Sequence, residues 1–86
     1  DGIHDIGQMA FYELPNLQSV TLGKDIVEIR NYAFKNCKSL TTINLDGVDF
    51  IREGAFYGCS ALEAVTFAQN VVIEDWAFSR TNITLP

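Results

Sequence analysis

The chain has 86 residues, 48% apolar and 20% charged, which is the composition of one small folded domain and excludes several. Eleven acidic against six basic side chains leave a net charge of −5, which argues against nucleic acid or an anionic membrane as partner. A closed globule of this length buries only about 60% of its unfolded surface, so stability is expected to be marginal unless another device supplies it.

That device is a repeat, visible when the elements are taken in chain order. Residues 1–22 begin with Ile3-x-x-Ile6, continue with Ala10-Phe11-x-x-Leu14 and Leu17, and close with Val20-Thr21-Leu22. Residues 23–45 run through the same series: turn residues Gly23-Lys24-Asp25, then Ile26-x-x-Ile29, Ala33-Phe34-x-x-Cys37, Leu40 and Ile43-Asn44-Leu45. Residues 46–67 do so again, with Asp46-Gly47, Val48-x-x-Ile51, Ala55-Phe56-x-x-Cys59, Leu62 and Val65-Thr66-Phe67. Residues 68–86 keep Ile73 and Ala77-Phe78 but put Asn70 and Thr81 in apolar columns, then shorten to Asn82-Ile83-Thr84-Leu85-Pro86. In this last unit Ile83-Thr84-Leu85 reads as a final strand reached by deletion, or Ile83 stands in for the missing leucine. The Ala-Phe pairs are 23, 22 and 22 residues apart, a period that signals a solenoid.

Spacing inside a unit assigns its parts. Apolar-polar-apolar triplets such as Ile43-Asn44-Leu45 alternate at period two, as a half-buried strand does. Ala-Phe-x-x-Leu/Cys is spaced like one turn of helix, and Ile26-x-x-Ile29 or Val48-x-x-Ile51 like a short extended return segment. No such coil buries its own apolar side. Stacked on a neighbour, its strands form a parallel sheet about 4.8 Å apart, its small Ala permits close approach, and its Phe fills the centre. The expected fold class is therefore an α/β repeat solenoid, a single domain of about four units over residues 1–86.

The pattern Ile-x-x-Ile-x-x-x-Ala-Phe-x-x-Cys-x-x-Leu-x-x-Ile-x-Leu, unbroken from Ile26 to Leu45 and matched again from Val48 to Phe67, resembles the BspA-like (Treponema-type) leucine-rich repeat. The resemblance implies a right-handed horseshoe, with a parallel β-sheet on one face and short helical turns opposite. It also implies residence on a cell surface or secretion, and adhesion to a host matrix protein, a cell-surface protein or a glycan. The alternative is a purely structural spacer with no ligand of its own. No run approaches the roughly 20 apolar residues of a membrane span, so membrane insertion is not expected. The opening Asp1-Gly2-Ile3-His4 lacks a signal-peptide pattern and reads as the start of a mature or excised segment. Neither end shows a polar cap, so the open sheet edges invite self-association.

Candidate binding residues fall on two sides. Ser19, Thr21, Thr42, Asn44 and Thr66 point away from the core on the strands, a small polar face that reads either as a contact surface or as a merely soluble one. Trp76, Tyr32 and Phe50 are the aromatic candidates on the opposite side, against the plainer reading of packing between coils. Cys37 and Cys59 share one column, near enough for a disulfide, but Leu14 and Thr81 fill the same slot elsewhere and favour a buried apolar role. Catalysis is not expected: the one histidine, His4, has no triad partners, and one His with two columnar Cys makes no metal site. No cofactor is implied. Asn82-Ile83-Thr84 is a formal glycosylation sequon, relevant only in a eukaryotic secretory pathway.

Overall fold

The computed structural model describes residues 3–86; Asp1 and Gly2, with the opening of the first unit, lie outside the described residues. Seven short strands follow one another: β1 (Asp5–Ile6), β2 (Ser19–Val20), β3 (Glu28–Ile29), β4 (Thr42–Leu45), β5 (Phe50–Ile51), β6 (Ala64–Phe67) and β7 (Val72–Ile73). They make two parallel sheets, ordered β1-β3-β5-β7 and β2-β4-β6. Each pairing joins residues one repeat apart, as Ile29↔Ile51 and Asn44↔Thr66 do. The molecule is a parallel β-solenoid.

The period-two triplets form the second of these sheets, as their alternation predicts. The extended return segments form the first, a second sheet where the sequence reading expected only one. Two residues per coil suffice, because each return strand bonds parallel neighbours and needs no length of its own. β2 is shorter than the triplet Val20-Thr21-Leu22 and stops at Val20. Ile83-Thr84-Leu85 forms no strand; Ile83 instead packs against the core.

Among the described residues the expected helical turns are absent. Residues 8–13, 31–36, 53–58 and 75–80 are continuous runs of β-turn. The reason lies in the hydrogen bonds. Alternate N–H groups bond within the coil, as Ala33 N–H does to the Arg30 carbonyl and Lys35 N–H to that of Tyr32. The others reach the next coil: Tyr32 N–H to Glu53, Phe34 N–H to Ala55 and Asn36 N–H to Tyr57. An α-helix spends every interior N–H on its own turn and would leave none to join the coils. The i-to-i+3 bonds place Met9, Tyr32, Gly54 and Trp76 at the third turn position with φ between 58° and 64°. This is the signature of a type II turn. Four residues on, Glu13, Asn36, Gly58 and Arg80 are also left-handed, with φ from 54° to 78°.

The core is made of the repeat columns. Ile29, Ala33, Phe34, Cys37, Leu40, Leu45, Ile51, Ala55, Phe56, Cys59 and Leu62 are fully buried. Phe11, Phe34, Phe56 and Phe78 stack nearly parallel with centroids 5.0 to 5.1 Å apart, close to the rise of one coil. Each stacked pair adds about 0.5–1.5 kcal/mol to the burial of its rings.

Candidate interaction surfaces

Three solvent-facing surfaces follow from this frame. On β2, β4 and β6 the outward residues Ser19, Thr42 and Ala64 form one row and Asn44 and Thr66 a second, all exposed, and Thr21, which follows the end of β2, is exposed as well. Thr66 Oγ1 donates to Asn44 Oδ1 at 2.9 Å, and the same oxygen accepts the Asp46 N–H at 2.8 Å. Thr21 and Asn44 also line a shallow cavity of about 340 Å³ beside Lys24 and Asp46. The surface offers hydroxyls and an amide over a flat sheet, with no large side chain.

The outer face of β1, β3, β5 and β7 is a charge ladder. Arg52 bridges Glu28 at 2.6 Å and Glu74 at 2.9 Å, and Arg30 meets Asp5 at 3.2 Å. Phe50 lies here with Val72 as its strand neighbour, not with the other aromatic candidates, and the Arg52 guanidinium covers its ring at 4.5 Å. Its apolar face is thus shared with a cation and is only 38% exposed.

The turn side gathers the aromatic residues. Trp76, 61% exposed, and Tyr32 line a groove of about 470 Å³ with Lys35, Tyr57, Ser79 and Arg80. Lys35 Nζ lies 5.4 Å from the ring centres of Tyr32 and Tyr57 and 5.9 Å from that of Tyr12, within cation–π range. Arg80 leans on Tyr57 and its Nε–H donates to the phenol oxygen at 2.8 Å. The Tyr32 hydroxyl donates to Glu53 at 3.0 Å, and that carboxylate pushes its pKa up. Tyr32 lies so closely over Gly54 that a Cβ there would fall 2.4 Å from the ring. Lys35, Tyr57 and Arg80 are absent from the sequence-based candidates. For Lys35 and Tyr57 the signal was the alignment of Tyr12, Lys35, Tyr57 and Ser79 in one column, which sets a cation between two tyrosines; Arg80 stands in the next column, with Glu13, Asn36 and Gly58, which carries no such sign.

The cysteine column has a structural task. Cys37 and Cys59 are free and buried, and each thiol donates across to a phenylalanine carbonyl one repeat back, Phe11 and Phe34, at 3.0 Å. Burial pushes both thiols up, Cys59 to about 12. Thr81, in the same column, turns its hydroxyl to the Phe78 carbonyl of its own unit at 2.6 Å. Among the described residues no group of three or more His, Cys, Asp or Glu side chains converges to hold a metal. His4 is exposed. No helix among the described residues is long and apolar enough to cross a membrane.

The chain is similar to a leucine-rich repeat protein from Bacteroides ovatus ATCC 8483, known from a crystal structure. The TM-score is 0.89 and the identity 30%, covering 98% of this chain and 23% of that one. This chain thus spans under a quarter of that protein's length. No curated protein sequence matches it. The family model for the BspA type leucine rich repeat region, drawn over six copies, matches residues 1–85. With its repeat columns, parallel strands and stacked phenylalanines in place, the chain belongs to the BspA-type leucine-rich repeat family.

Proposed function

We propose that this chain is a protein-interaction and adhesion module, displayed on a cell surface or secreted, that binds a protein partner through the face of β2, β4 and β6. The observation that carries the reading is the side-chain chemistry of that face. Ser19, Thr21, Thr42, Asn44 and Thr66 all stand clear of the core and serve no packing. Among the described residues only the Thr66–Asn44 bond and the Asn44–Asp46 turn bond draw on their side-chain polar groups. Membership of a repeat family whose stacked units present extended surfaces supports it. Host matrix and cell-surface proteins are the proposed partner class. Self-association through the sheet edges is a secondary proposal, since parallel strands leave pairing groups at each outer edge.

The test is saturable binding of the isolated chain to immobilised matrix proteins, compared with a Thr42→Asp/Thr66→Asp variant. Loss of binding in the variant, with an unchanged melting temperature, supports the reading. Equal binding removes the sheet face from it, and absence of saturable binding favours a structural spacer.

A further inference from the structure

We infer that the turn-side groove is a separate site for an acidic carbohydrate, a chain of uronic-acid type sugars. The inference does not depend on the sheet face. Three observations converge on it.

Charge comes first. In a chain of net charge −5, Lys35 and Arg80 have no carboxylate within 4.0 Å among the described residues, whereas Arg30 and Arg52 on the first sheet both do. Lys24 and Lys38 have none either, but of these four cations Lys35 and Arg80 alone rest on tyrosine faces in one groove, with N–H groups left for an anion.

Backbone strain comes second. The two left-handed columns accept glycine at least cost, and Gly54 and Gly58 take it. Tyr32, Trp76 and Arg80 occupy the same positions at φ 58°, 62° and 60°, each against backbone strain that a glycine avoids. All three line the groove. The first unit carries Met9 and Glu13 in these columns, so the strain is general; what is local is its use to place two rings and a guanidinium together.

The third observation selects the ligand. The N–H groups of Tyr32, Gly54 and Gly58 are already spent on the Glu53, Asp75 and Ser79 carbonyls, so among the described residues of the groove an extended peptide finds free N–H groups only at Trp76 and Arg80 on the last coil and no ladder across it. What remains are ring faces, the Ser79 and Tyr57 hydroxyls and the two cations. A pyranose presents an apolar C–H face to a ring, hydroxyls to the polar groups and, when acidic, a carboxylate to Lys35 and Arg80. An acidic peptide supplies the anions without the stacking face.

Trp76 is the single tryptophan, so its fluorescence reports the site directly. Titration with trigalacturonate is expected to quench it saturably, with a neutral galactose trimer at least about tenfold weaker, as loss of charge-assisted bonds predicts. Lys35→Met and Arg80→Gln are each expected to weaken trigalacturonate about tenfold with an unchanged melting temperature. Should one variant misfold, the other carries the test. Lys38→Met, which removes an exposed cation outside the groove, should leave the affinity unchanged. No saturable quenching, equal affinity for the neutral trimer, or equal or tighter binding of hexaglutamate would overturn the inference.

Discussion

The sheet side and the turn side of each coil are both hydrogen-bonded to the coils above and below, yet they constrain the sequence very differently. On β4 and β6 the side chains alternate in and out, so an outward residue such as Thr66 needs only to tolerate an extended backbone. On the turn side, two positions per coil require a positive φ, and bulky side chains from one coil lie over the next. A surface position is therefore replaceable on one side and tightly specified on the other. The difference comes from backbone geometry and from burial together, since Gly54 and Gly58 are buried and Tyr32 and Asn36 half-buried, whereas Thr42, Asn44 and Thr66 are exposed.

The largest effect should fall where the two sides meet in the core. Phe56→Ala removes a buried ring from the middle of the phenylalanine stack and is expected to cost about 3–5 kcal/mol in denaturant unfolding. Thr66→Ala, on the sheet face, should stay within about 0.5 kcal/mol, the range of an ordinary surface substitution. A comparable loss from both would break the contrast.

Next comes the turn itself. Gly54→Ala puts a Cβ against the Tyr32 ring at φ 64°, and Gly58→Ala puts one 2.1 Å from Asn36 Oδ1 at φ 78°. Each should cost about 1–3 kcal/mol. Adding Tyr32→Ala to Gly54→Ala should recover the part due to the ring and leave the backbone part. Full recovery would show that φ at this position carries no strain.

The thiols sharpen the picture through pH. In the folded chain Cys59 is pushed from 9.0 up to about 12, with burial as the largest cause. Above pH 9 an unfolded thiol loses its proton while the folded one keeps it, so the stability this group supplies is whole below pH 9 and lost as pH rises toward about 12. The alkaline decline of the melting temperature should be shallower in Cys59→Ala than in the parent chain. A decline of equal slope would mean that the thiol is solvated.

The smallest effect is expected on the charge ladder. Arg52→Met removes two partly exposed ion pairs and the cover over Phe50, and should lower the denaturant midpoint less than any of the changes above, and less still at high salt. A larger loss would move this sheet's outer face from tolerant to specified.

Much of this was legible in the residues. The Ile29, Ile51 and Ile73 columns, the Phe stack and the inward residues of β4 and β6 follow from a period of 22 to 23 and a local alternation of two. Ser19, Thr21, Thr42, Asn44 and Thr66 could be placed outward because strand alternation is fixed by the backbone alone. The turn runs were misread because Ala33-Phe34-x-x-Cys37 has the spacing of a helical turn, and spacing does not say where an N–H is spent. Gly54, aligned with Tyr32, and Gly58, aligned with Asn36, were the available sign of left-handed positions. Phe50 was separated from Trp76 and Tyr32 only by the first sheet, which the return segments form through pairing with their neighbours.

By itself, then, the sequence determined that the chain repeats, which columns pack and which strand residues face outward, since these depend on spacing along one coil. The tertiary structure decided that alternate turn-side N–H groups bridge coils, that the cysteine thiols bond a neighbouring coil's phenylalanine carbonyl, and that Lys35, Tyr57, Trp76 and Arg80 share a groove. Each of these joins residues from different repeats. Their contact depends on the stacking register, and local propensity carries no record of it.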